Sequence, residues 1–124
     1  MKFTLARLEP VVYGVLRMIA GAMFACHGLQ KVFGILGGHA VALRTQMGIG
    51  GVIELVTGVL IAIGVGTRWA AFFACGQMAV AYFQFHAPHG VLPIQTNADD
   101  TVLYCFVFLL FCVRGSGVYA IRPD

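Results

Sequence analysis

Arg17, His27 and Lys31 stand in VVYGVLRMIAGAMFACHGLQK, a segment that is otherwise almost wholly apolar. On a helix turning about 100° per residue the three fall within a sector of about 80°, so one face of this segment is polar along most of its length. Glu54 lies alone in a second apolar run, between Gly51 and Gly58. Tyr82 and His86 continue a stripe with Met78 at i, i+4 and i+8, and Gln77 and Gln84 also share a face of that segment. Asn97 and Asp100 belong to NADDTVLY, at the head of the last apolar run. Two histidines, a lysine and carboxylates brought together can exchange protons or hydrogen-bond a polar headgroup. Each also has a purely structural use. Glu54 and Lys31 can form an ion pair, Arg17 can snorkel to the nearer membrane face, and His27 can bond a neighbouring backbone. His86 and His89 flank Pro88 at a helix exit, where interfacial positions suit them, and Asn97 with Asp99 or Asp100 can cap a helix N-terminus.

The composition sets what positions these groups. The chain has 124 residues, 60% hydrophobic and 10% charged, with a mean hydropathy of +0.88. A soluble domain carries about 25% charged residues, so too little polar surface is available to cover a globule in water. The reading is an integral membrane protein of one domain. A net charge of +3 with scattered basic residues leaves no nucleic-acid footprint. A cleaved signal peptide fits poorly, because the first apolar run continues without a small-residue cleavage site.

Four apolar segments are expected to span, at about 10–33, 48–65, 68–87 and 98–114. They are all-α, because a bilayer offers no water to an unpaired backbone and segments of this length suit helices rather than barrel strands. Gly and Pro punctuate the connections. Four spans place both termini and the second loop on one side, with Lys2, Arg7, Arg68, Arg114 and Arg122. The other side holds Lys31, Arg44 and the pair Asp99–Asp100. Positive-inside counting puts both termini in the cytoplasm. The alternating span directions bring His27, Lys31, Glu54, His86, Asn97 and Asp100 to the outer half of a four-helix bundle.

Gly14, Gly21 and Gly28 repeat every seventh residue, and Gly51 and Gly58 share a face of the second segment. Small residues at such spacing let helix backbones approach closely in lipid. The four cysteines, Cys26, Cys75, Cys105 and Cys112, read as buried thiols. Cys105 and Cys112 are separated by about 10 Å along a helix, too far to be bridged. No metal-ligand spacing is present, so metal or haem is not expected.

The run RMIAGAMFACHGLQKVFG, residues 17–34, resembles the first-helix signature of the DoxX family of small bacterial membrane proteins. GVIELVTG, residues 51–58, is similar to that family's Gly-x-x-Glu-x-x-x-Gly, and Thr67-Arg68 to the basic turn after it. NADDTVLY, residues 97–104, resembles an Asn-Gly-Gly-Glu…Leu-Tyr segment, with Asp100 in place of Glu and Ala98 and Asp99 in place of the glycines. Arg122 stands where an Asp often follows. The resemblance implies a four-helix bundle in the bacterial inner membrane. It also implies a link to quinone-coupled or thiol and sulfur redox chemistry, since the family name comes from a subunit associated with thiosulfate:quinone oxidoreductase. From it follows the expectation of a membrane subunit that supports a redox partner, with quinone as the ligand to consider and a homo-oligomer as a further arrangement. An anchor or assembly factor without chemistry of its own is the alternative. A small-molecule or proton carrier is the third reading, although no inverted repeat is evident.

Overall fold

The computed structural model describes residues 2–124, with side chains from Thr4 onward, so the side chain of Lys2 lies outside the described residues. Four α-helices dominate: α1 (Lys2–Phe33), α2 (Gln46–Ile63), α3 (Thr67–Ala81) and α4 (Asp99–Arg114). Among the described residues the strand-like structure is an isolated parallel bridge between Val65 and Arg122. The fold is all-helical. Two helices, Thr4–Phe33 and Gln46–Ile63, are long and apolar enough to cross a membrane.

The first helix begins at Lys2 rather than near Pro10, which lies inside it. The residues ahead of the proline, Leu5-Ala6-Arg7-Leu8-Glu9, are good helix formers and sustain the turn that Pro10 weakens. Glu9 also pairs with Arg114 at the end of α4. The third helix continues from Ala81 into a π-helical turn, Tyr82–His86, followed by short 3-10 turns at Ala87–His89 and Pro93–Thr96.

The helices associate as two close pairs, α1 with α2 and α3 with α4, while α2 and α3 meet more sparsely. The glycines explain the first pair. A Cβ at Gly21 would lie 2.5 Å from the Ala62 nitrogen, one at Gly58 2.5 Å from the Ala25 nitrogen, and one at Gly28 2.7 Å from the Gly51 oxygen. Any side chain at these positions would force the two backbones apart. Gly14 differs: it faces Val118 and Tyr119 of the C-terminal tail rather than α2. The core between the pairs is aromatic, with Phe24, Phe108 and Phe111 buried and Ala70, Ala71 and Ala74 letting α3 approach them. Large apolar side chains cover the exterior instead of charges, with Trp69 72% and Phe83 70% exposed.

One end of the molecule is closed by the tail. Gly64, at φ 76°, ends α2 in the left-handed conformation that glycine adopts without strain. The returning chain then bonds the end of that helix: the amides of Ile121 and Arg122 donate to the carbonyls of Ile63 and Gly64. Arg68 donates to the carbonyls of Val113 at 2.8 Å and Arg114 at 3.2 Å, and its own amide meets Asp124 at 3.1 Å.

Candidate functional site

Among the described residues, the two charged side chains buried between α1 and α2 lie in different surroundings. Arg17 is 0% exposed. One terminal nitrogen donates to the carbonyls of Ile61 at 2.7 Å and Ala62 at 3.0 Å, and the other to Val118 and Tyr119, each at 2.9 Å. Helix C-termini leave carbonyls without intrahelical donors and carry partial negative charge. Arg17 therefore serves as a side-chain cap for α2 and a clasp for the tail. Beside it the Tyr13 hydroxyl donates to the Gly115 carbonyl at 2.5 Å, and the Arg114 guanidinium stacks over the Tyr13 ring at 3.9 Å.

Glu54 is 3% exposed, and one of its oxygens accepts from Lys31 Nζ at 2.8 Å. Gly51 makes room for this pair, since a Cβ there would lie 2.7 Å from Lys31 Cβ. The pair borders a cavity of about 340 Å³ that opens among all four helices. His27, Lys31, Glu54, His86 and Asp100 all line it, with Phe24, Phe85 and Tyr104 as aromatic walls. The volume is at the lower end of the range for small-molecule sites, about 300–1,000 Å³.

Three residues singled out in the sequence are not among those that line this cavity. Arg17 belongs to the closed end, ten positions before His27 along α1. The shared helix face is real, but the carbonyls that hold Arg17 are contributed by the ends of other segments, which helix spacing cannot reveal. Tyr82 is set off by the π-helical turn, in which the Ala87 amide bonds the Tyr82 carbonyl. The wider turn breaks the i, i+4, i+8 stripe, so Met78 and His86 reach the cavity while Tyr82 packs against Phe83 and the His86 ring. Asn97, at φ 56°, is a left-handed turn residue whose amide bonds the Pro93 carbonyl. Asparagine tolerates that conformation better than most side chains, which lets the segment turn without the glycines of the pattern it resembles. Ala98, not Asn97, precedes the first turn of α4, and no side chain caps it.

The π-helical turn also sets His86. Its Nδ1 lies 3.1 Å from the Thr96 carbonyl, and a carbonyl only accepts, so Nδ1 carries the proton and Nε2 remains for another partner. The His27 ring meets Tyr104 edge-on, with centroids 6.0 Å apart.

Spacing alone did not single out Gln77 and Tyr104 as site residues. Gln77 Nε2 donates to the Gly50 carbonyl at 3.1 Å, bridging α3 to α2. A second amide bridge joins Gln46 to Gln84. Among the described residues five buried side-chain polar atoms have no hydrogen-bond partner. Three of them, Glu54 Oε2, Gln77 Oε1 and the Tyr104 hydroxyl, belong to residues that line this cavity. Buried polar groups are nearly always paired, and an unpaired one costs about 1–3 kcal/mol. Three of the five thus belong to residues of one cavity wall, in close-packed positions behind its surface. The cysteines stand apart: Cys75 and Cys105 bring their sulfurs to 3.7 Å across α3 and α4, a neighbour relation between helices that spacing within one helix does not show.

A protein of Haemophilus influenzae described as uncharacterized is 34% identical over 124 residues, covering 94% of this chain and 92% of its own. No solved structure matches the chain significantly. The DoxX family model matches residues 13–87, more than half of the sequence, including Arg17, the glycine seam, Glu54 and the π-helical turn. The chain is a membrane protein belonging to the DoxX family.

Proposed function

We propose that this protein is a four-span inner-membrane subunit that binds a quinone headgroup in the cavity beside Glu54 and so supports a redox partner. In this reading the spans lie at about 10–33, 48–65, 68–87 and 98–114, with both termini in the cytoplasm and the cavity toward the outer face. The observation that carries it is that three residues lining one aromatic-walled cavity, Glu54, Gln77 and Tyr104, each carry a buried polar atom without a partner: Oε2, Oε1 and the hydroxyl.

A flat, uncharged ring with oxygens on opposite edges suits those groups. Tyr104 can donate to a ring oxygen, while Glu54 Oε2 and Gln77 Oε1 can accept from ring hydroxyls. An anionic headgroup is disfavoured, because Glu54 and Asp100 outnumber Lys31 among the charged lining residues. A bound quinone supplies two-electron, two-proton chemistry. The chain's own part is to orient the ring and handle protons. Glu54 Oε2 takes a proton within the cavity while Oε1 stays fixed on Lys31. Asp100, exposed where it borders the same cavity, passes protons to water.

Purified protein is expected to bind a benzoquinone or naphthoquinone ring, with Glu54→Gln weakening that binding about tenfold or more, the scale of one charge-assisted hydrogen bond. Quinone-linked activity in the host membrane should fall with it. If no quinone binds and Glu54→Gln leaves that activity intact, the reading fails. Retained folding and partner co-purification in Glu54→Gln/Lys31→Met, with activity unchanged, would establish the alternative of a structural anchor.

A further inference from the structure

A second, larger hollow of about 680 Å³ runs between α2 and α3. Its walls are almost entirely apolar, with Val52, Val56 and Ile49 of α2 facing Phe72, Phe73 and Val80 of α3. These side chains are all exposed, so the hollow is open along the flank of the bundle. Gly76 lies in it, and a Cβ built there would meet nothing within 4 Å. The hollow adjoins the polar cavity. Gln46, Gly50, Gln77 and Val80 line both. Gln77 sits at the junction, its nitrogen holding the Gly50 carbonyl and its unpartnered oxygen belonging to the same side chain.

From this adjacency we infer that the ligand is a long-tailed amphiphile, a prenyl- or alkyl-substituted quinone. Its ring occupies the polar cavity and its tail lies in the α2–α3 groove, so that it enters sideways from the bilayer past Gln77. The inference rests on the quinone reading and adds the tail, its groove and the route. A polar compartment beside an apolar one, with a glycine and an amide in the shared wall, matches a molecule divided the same way. Gly50 lets Gln77 lie against α2 in that wall, since a Cβ there would lie 2.9 Å from Gln77 Nε2, and passage requires the Gln77 side chain to swing off the Gly50 carbonyl.

The test compares one quinone ring without a tail and the same ring with a decyl tail, each titrated against full-length protein in the same detergent. Wild type is expected to bind both. Gly76→Phe fills the groove from α3 and Val56→Phe from α2, and neither residue belongs to the polar cavity. Each should weaken binding of the tailed quinone about tenfold, as expected when roughly two methylenes of the tail are displaced, and leave the tail-less ring unchanged. Circular dichroism establishes that each variant is folded, and either folded variant suffices for the comparison. Unchanged binding of the tailed quinone in a folded variant overturns the groove assignment, as does an equal loss for both ligands. Failure of wild type to bind either quinone instead overturns the quinone reading itself, and this inference with it.

Discussion

Arg17 and Glu54 are both charged groups buried between α1 and α2, 0% and 3% exposed, yet one is nearly saturated and the other half-used. Four carbonyls surround Arg17, and only its Nε lacks a partner. Glu54 has one partner, Lys31, which is itself 31% exposed, and a second oxygen left over beside a cavity. Burying a charge is costly wherever it occurs. At the closed end that cost is offset inside the chain by helix-terminal carbonyls that also needed donors. At the open end the offset is incomplete, and in the quinone reading the ring completes it. Two charges on the same helix pair thus differ in whether the chain itself supplies all their partners.

Breaking the comparison begins with Arg17→Met, which removes four hydrogen bonds and strands the carbonyls of α2 and the tail. A loss of about 3–5 kcal/mol is expected, the scale for breaking a buried charged network. Thermal unfolding in detergent should show it as a large fall in melting temperature or as failure to purify folded protein. Glu54→Gln should destabilise far less, about 1 kcal/mol, because Lys31 can turn toward water when its partner is lost. Equal melting shifts for the two variants would erase the distinction drawn here. Tyr104→Phe sharpens it further. Removing an unpartnered hydroxyl should leave stability within about 1 kcal/mol of wild type or raise it, while weakening quinone binding.

The smallest effect belongs to Glu9, whose carboxyl is held below its ordinary 4.5 by the Arg114 hydrogen bond. A carboxyl lowered on folding adds stability above its unfolded value, and that increment is lost as pH falls through the folded one. Glu9→Gln should therefore lower the melting temperature slightly at neutral pH and match wild type in acid, below the folded value. The same small deficit at both pH values would show that the pair contributes nothing through charge.

The parts legible in the sequence were those governed by local spacing. Gly21, Gly28 and Gly58 sit where backbones touch, because a seam of small residues has a fixed helical period and a steric meaning. His27, Lys31 and Glu54 reach one cavity because alternating helix directions equalise their depth. Arg17 was legible as part of a polar helix face, with snorkelling as its structural use, but not as a fully buried clasp, since its acceptors are main-chain carbonyls of Ile61, Ala62, Val118 and Tyr119, which no side-chain pattern announces. His86 lines the cavity and Tyr82 does not, although their rings touch, because a π-helical turn changes the repeat in mid-helix, with no residue in YFQFH that demands it. Gln77 gained its meaning only from the neighbouring α2, whose Gly50 carbonyl it holds.

The tail gives the molecule a mechanical asymmetry. Residues 118–124 fasten the end of α2 to the start of α3, through Arg17, Gly64 and Arg68. At the far end the two helix pairs are joined across α2 and α3 by the amide bridges of Gln77 and Gln46. The two ends are therefore fastened by different means, main-chain bonds at the tail and side-chain amides beside the cavity. Substitution of a single glutamine can loosen the cavity end, whereas the tail end holds through backbone that no side-chain change removes.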